Sequence, residues 1–186
     1  MLKWIFYLSL TLSSERLCAG VIEQQVFEQA FERILKNEGP DSCHPMDGGG
    51  YTKWGISSTS HPTVDVKNLT VEDAKGIYHD EYWARFGLYR LAEKPTIAVK
   101  VMDMAVNMGG RKAIMVLQRA LRACGERNVQ DDGILGDETA FAASRANEQC
   151  LMVGLRSESA GYYRGIVSMA PSQGIFLKGW LNRAYS

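Results

Sequence analysis

The chain has 186 residues, of which 46% are hydrophobic, and its 21 basic and 21 acidic side chains cancel. That length and apolar content support one good core with room for a small second lobe, and they exclude a disordered chain. Zero net charge and the absence of a Lys/Arg tract exclude electrostatic capture of a polyanion as the main activity, so no nucleic-acid partner is expected.

The first twenty residues differ from the rest. Met1-Leu2-Lys3 is a short basic start, Trp4 to Leu12 is apolar apart from Ser9 and Thr11, and Leu17-Cys18-Ala19-Gly20 offers small residues for cleavage. This is the layout of a secretory signal peptide, which predicts export to a bacterial periplasm or cell wall. The alternative is an N-terminal helix that packs on the domain. The apolar run is too short to span a bilayer, so no stable membrane insertion is expected. Of the four cysteines, Cys18, Cys43, Cys124 and Cys150, no pair has zinc-knuckle or redox-dithiol spacing. Cys124 and Cys150 read as small buried hydrophobes, with a bridge between two helices as the alternative in an oxidising compartment.

Val21 to Lys36 is predicted as a helix. Val26, Phe27, Ala30, Phe31, Ile34 and Leu35 recur at three- and four-residue spacing, and Gly39-Pro40 ends the run beside Glu38. A glycine-rich segment follows, and Tyr51 to Ile56 reads as a short hairpin strand. Thr70 is a candidate cap, with Asp73 three residues on, for a helix running to about Arg85 with Ala74, Ile77, Tyr78, Tyr82 and Trp83 inward. Further helices are expected over 96–108, 112–124, 138–146, 150–168 and 175–184. Asp131-Asp132-Gly133 lacks the twelve-residue calcium-loop pattern and reads as a turn. The fold class is therefore mainly α with a small β-hairpin after the first helix.

Three side chains after that first helix carry chemistry. Glu38 sits at a helix C-terminus, where the macrodipole and partial burial both favour the protonated carboxyl, as a general acid requires. Asp47 lies in the glycine-rich loop and Thr52 on the strand. A helix end followed by a hairpin can fold all three around one cleft, which suits the two-group logic of glycoside hydrolysis. The plain alternative is a turn, since acids followed by glycines are common at helix ends. Tyr51 and Trp54 are candidate sugar contacts, against a core role for either. Asn107 is a candidate partner for an N-acetyl group, or else a helix terminator. His44, His61 and His79 have no partner at metal spacing, so neither metal nor cofactor is expected.

Glu38-Gly39, Asp47, Gly49-Gly50, Thr52 and Trp54-Gly55-Ile56 together resemble the glycoside hydrolase family 108 muramidases. Ala74-Lys75-Gly76-Ile77-Tyr78 with Tyr82-Trp83, and Asp103-Met104-Ala105-Val106-Asn107-Met108-Gly109, are similar to two further motifs of that family. Leu117-Gln118-Arg119-Ala120-Leu121, Asp132-Gly133-Ile134-Leu135-Gly136-Asp137-Glu138-Thr139, Tyr162-Tyr163-Arg164 and the closing 176–183 resemble its helical peptidoglycan-binding module. Two departures fall in the cleft-lining loop: Pro40-Asp41 stand where the family continues Gly-aromatic, and Gly48 stands where it has Pro.

The resemblance implies a lysozyme-like helical domain over 21–111 and a C-terminal helical lobe over 112–186 that binds peptidoglycan. It implies an N-acetylmuramidase, cofactor-free and acting as a monomer on peptidoglycan glycan strands. Glu38 would be the catalytic acid, with Asp47 and Thr52 the next candidates. A non-catalytic wall-binding protein and a lytic transglycosylase are the alternatives.

Overall fold

A computed structural model describes the backbone of residues 2–38, 41–42 and 50–186, and side chains over 17–37 and 50–186. The order is α1 (Leu2–Glu38), β1 (Asp41–Ser42), β2 (Thr52–Lys53), β3 (Ile56–Ser57), α2 (Val71–Tyr78), α3 (Pro95–Met108), α4 (Gly110–Ala123), α5 (Asp137–Arg145), α6 (Glu148–Met169) and α7 (Leu177–Tyr185). Short 3-10 turns and one π-helical turn, His79–Ala84, link them. The chain is mainly α, as expected.

The first helix begins upstream of the expected start and runs unbroken through residue 20. Its apolar stripe nonetheless starts to pack where the periodicity placed it. Val26, Phe27, Ala30, Phe31 and Ile34 are buried and Leu35 half-buried, whereas Leu17, Val21 and Ile22 stay exposed. α2 opens with the expected capping box: the Thr70 hydroxyl accepts from the Asp73 amide at 3.1 Å, and the Asp73 carboxylate accepts from the Thr70 amide at 3.0 Å. Phe31 and Trp83 then pack on Phe27, Trp83 5.6 Å from it centroid to centroid, and Tyr78 packs on Phe31 at 5.7 Å.

Among the described residues the main core runs from Val26 on α1 through Val101 and Met102 on α3 to Leu117 on α4 and Leu155 on α6, and a second small cluster of Ala160, Tyr163 and Ala184 joins α6 to α7. Two glycines permit the α3–α4 corner. Gly109 sits at φ 88°, and a Cβ on Gly110 would stand 2.3 Å from the Phe86 ring. The Asp132-Gly133 segment is the expected turn, pinned from below by buried Gln118. Its Nε2 donates to Asp132 Oδ1 at 2.8 Å and to the Ile134 carbonyl at 3.0 Å, while its Oε1 accepts from the Gly133 amide at 2.9 Å. Gly133 is at φ 76°, with Arg111 close enough to exclude any Cβ.

Cys124 and Cys150 are not buried hydrophobes. They form a disulfide, Cα–Cα 5.9 Å, between the end of α4 and the first turn of α6, with Cys150 exposed and Cys124 half-buried. Helical periodicity placed both at element ends, outside the buried stripes, and the hydrophobic reading did not use that.

α7 is docked on α3 by two buried polar side chains, Lys100 and Asp103. Lys100 Nζ donates to the carbonyls of Arg183 at 2.7 Å and Ala184 at 2.9 Å, closing the last turn of α7. Burial pushes this amine down to about 8; Asp103 opposes the shift, while Arg33, Arg156 and Arg183 add to it. A neutral amine has two N–H groups for these two carbonyls, so deprotonation keeps both bonds. The folded value lies below the ordinary 10.5, so the unfolded chain binds more protons between about pH 8 and 10.5 and stability rises with pH across that window. The unfolding free energy of wild type relative to Lys100→Met should therefore improve by on the order of 2 kcal/mol between pH 7 and 10. Urea titrations of both proteins at the two pH values measure this, and a pH-independent difference would show that the ammonium is not penalised.

Candidate active site

Glu38 is the last residue of α1, and β1 begins three residues later. The three strands form an antiparallel sheet in the order β1-β2-β3, with Ser42 opposite Thr52 and Thr52 opposite Ser57. This register sets Thr52 across from a residue only four positions after Glu38, bringing helix end and hairpin to one end of the fold. Thr52 is half-buried. Asp47 and Cys43 lie outside the described residues, as does the side chain of Glu38.

Trp54 and Gly55 are the two central residues of the β2–β3 hairpin, with Lys53 paired to Ile56. Both have positive φ, 53° and 79°. That is natural for Gly55 and costly for a bulky residue such as Trp54, whose place in such turns usually goes to Asn, Asp or Gly. The Trp54 carbonyl accepts from the Tyr78 hydroxyl at 3.2 Å, which ties the hairpin to α2. The Trp54 ring is half-buried against the core, and its Nε1 is buried without a hydrogen-bond partner among the described residues. Tyr51 is half-buried beside it, and its amide and carbonyl both bond Ser58. Tyr51 and Trp54 thus both pack against the core, with Thr52 between them on β2.

α3 packs on α1 near its end. Asn37, next to Glu38, donates from Nδ2 to Asp103 Oδ1 at 2.8 Å. Asn107 stands one helical turn beyond Asp103 on the same face. Its Oδ1 accepts from the Tyr163 hydroxyl at 2.6 Å, a bond to α6 that neither sequence reading of Asn107 anticipated.

A separate groove of about 720 Å³ runs along α2, lined by Asp65, Glu72, Asp73, Asp80 and Glu81 around Leu69 and Ile77. None of the candidate residues lines it. His61 Nε2 lies 3.1 Å from Glu81 and His79 Nδ1 2.9 Å from Asp80. Among the described residues, no group of three metal-ligating side chains gathers.

A long first helix running into a small antiparallel sheet, then a helical lobe, defines a lysozyme-like, mainly α protein. Residues 31–109 match the family model for glycosyl hydrolase 108. Residues 112–185 match the model described as "Predicted Peptidoglycan domain". The chain is therefore a glycoside hydrolase that acts on peptidoglycan, which places its work at the cell wall or periplasm. The structure of SagA from Brucella abortus shares the fold, with a TM-score of 0.66 and 24% identity over 87% of this chain and 90% of that one. A search of curated proteins finds no match.

Proposed function

We propose that the protein is an N-acetylmuramidase that cleaves the β-1,4 bond between N-acetylmuramic acid and N-acetylglucosamine. Glu38 protonates the glycosidic oxygen as the C–O bond breaks. A water placed by Asp47 and Thr52 attacks the anomeric carbon and gives its proton to the Asp47 carboxylate, whose charge also stabilises the positive charge that develops there. Tyr51 and Trp54 contact sugar rings, and the Asn107 amide donates to an N-acetyl carbonyl. Residues 21–111 carry the chemistry and 112–186 hold the glycan strand or its stem peptide. The enzyme works as an exported monomer after loss of residues 1–20, and it needs no cofactor.

The observation that carries this reading is the pairing of Ser42 with Thr52, which puts a hydroxyl-bearing strand beside the end of α1 within the stretch that matches glycosyl hydrolase 108. The strained turn at Trp54 adds support, since such backbone conformations concentrate where a side chain must be held for a ligand. Digestion of purified sacculi, with mass spectrometry of the products, tests it. Reducing muropeptides are expected. Anhydro-muropeptides would mean a lytic transglycosylase, and sacculus binding without products would mean a non-catalytic wall protein.

A further inference from the structure

Three elements meet at one buried carboxylate. Asp103 on α3 is 1% exposed. Its Oδ1 accepts from Asn37 Nδ2 of α1 at 2.8 Å and from Arg183 Nε of α7 at 3.0 Å, with Arg183 Nη2 also at 3.0 Å. Its Oδ2 is buried and accepts no hydrogen bond among the described residues. Arg183 is itself largely buried, with 16% of its side chain exposed.

This is a poor device for stability alone. Desolvating two charges offsets most of their attraction, and a buried oxygen without a donor adds a further cost. The arrangement does fix geometry. The last turn of a helix has carbonyls without intrahelical partners and tends to fray. Asn37 lies in that turn of α1, and its bond to Asp103 is a side-chain tether one residue before Glu38. Arg183 holds the same oxygen from the other side, so the carboxylate has one orientation in which to receive Asn37. The two ends of this chain of contacts lie in the two segments that match separate family models.

We propose that Asp103 and Arg183 are positioning residues for the catalytic acid. Arg183 orients Asp103, Asp103 holds Asn37, and the tether keeps the end of α1 wound so that Glu38 meets the glycosidic oxygen. The last helix of the peptidoglycan domain is then part of the catalytic apparatus as well as a holder of substrate. This rests on the reading of Glu38 as the acid.

Asn37→Ala tests it with little risk to folding, because Asn37 is at the surface and the Asp103–Arg183 pair stays intact. On solubilised glycan strands its kcat should fall roughly 10- to 100-fold, the scale of a misplaced catalytic group, with KM and Tm little changed. Asn37→Asp sets a second carboxylate against Asp103 and should fall further, and Asp103→Asn should lose kcat along with thermal stability. Wild-type kcat in folded Asn37→Ala, or a raised KM at unchanged kcat, overturns the proposal. Glu38→Gln in the same assay separates the two readings. If it is inactive while Asn37→Ala is fully active, only the positioning role fails. If it turns over normally, the assignment of the acid fails and the positioning role with it.

Discussion

Glu38→Gln in the otherwise intact chain loses roughly 10³-fold in turnover of sacculi, within the range that a general acid contributes. The amide keeps the size and hydrogen-bonding reach of the carboxyl but has no acidic proton for the leaving oxygen. The substitution should not unfold the protein. A carboxylate at the end of α1 faces the negative pole of the helix, so a neutral side chain there should leave stability unchanged or raise it by roughly 0.3–1 kcal/mol. Lost turnover with an unchanged or slightly raised Tm, and with sacculus binding retained, is the combined signature of a missing acid. A fall in Tm matching the fall in activity would instead indicate a damaged fold. Turnover within a few fold of wild type would remove Glu38 from the mechanism and redirect attention to Asp47.

Much of this arrangement was legible in the sequence, for identifiable reasons. The stripe Val26, Phe27, Ala30, Phe31, Ile34 packs as its spacing required, and the Thr70–Asp73 box starts α2 where it stood. Local patterns report local structure. The hairpin was legible only as one β-prone stretch, Tyr51 to Ile56; the tight turn at Trp54-Gly55, which splits that stretch into β2 and β3, was not read. What stayed hidden depends on contacts distant along the chain. Asp103 stood out only as part of a motif, since nothing local shows that Arg183, 80 positions later, would pair with it. Tyr163 reaching Asn107 across 56 positions is the same case. An Asp and a Lys within an otherwise apolar helix, as at Asp103 and Lys100, were the available signal. Charges on a buried stripe need distant partners, and the final turn of the chain supplies them here.

The Cys124–Cys150 bridge is the other feature with a large measurable effect. It closes a loop spanning 26 positions that contains the Asp132-Gly133 turn and the whole of α5. Cross-linking a loop of this length stabilises a fold by about 3 kcal/mol in the chain-entropy picture. For a chain of this size that corresponds to a Tm roughly 6–12 °C lower in Cys124→Ser/Cys150→Ser. Serine is tolerated at both positions because neither cysteine is buried, so the loss measures the cross-link rather than a cavity. Reductant should lower the Tm of wild type by the same amount and leave the double variant unchanged. Equal Tm values with and without reductant would mean that the bridge does not form in solution. The bond also bears on where the protein works. An exposed disulfide persists in an oxidising compartment and is reduced in the cytosol, which supports the export proposed for this enzyme. Wild type recovered from the periplasm should therefore melt higher than the same chain recovered from a reducing cytosol, and added oxidant should close that gap.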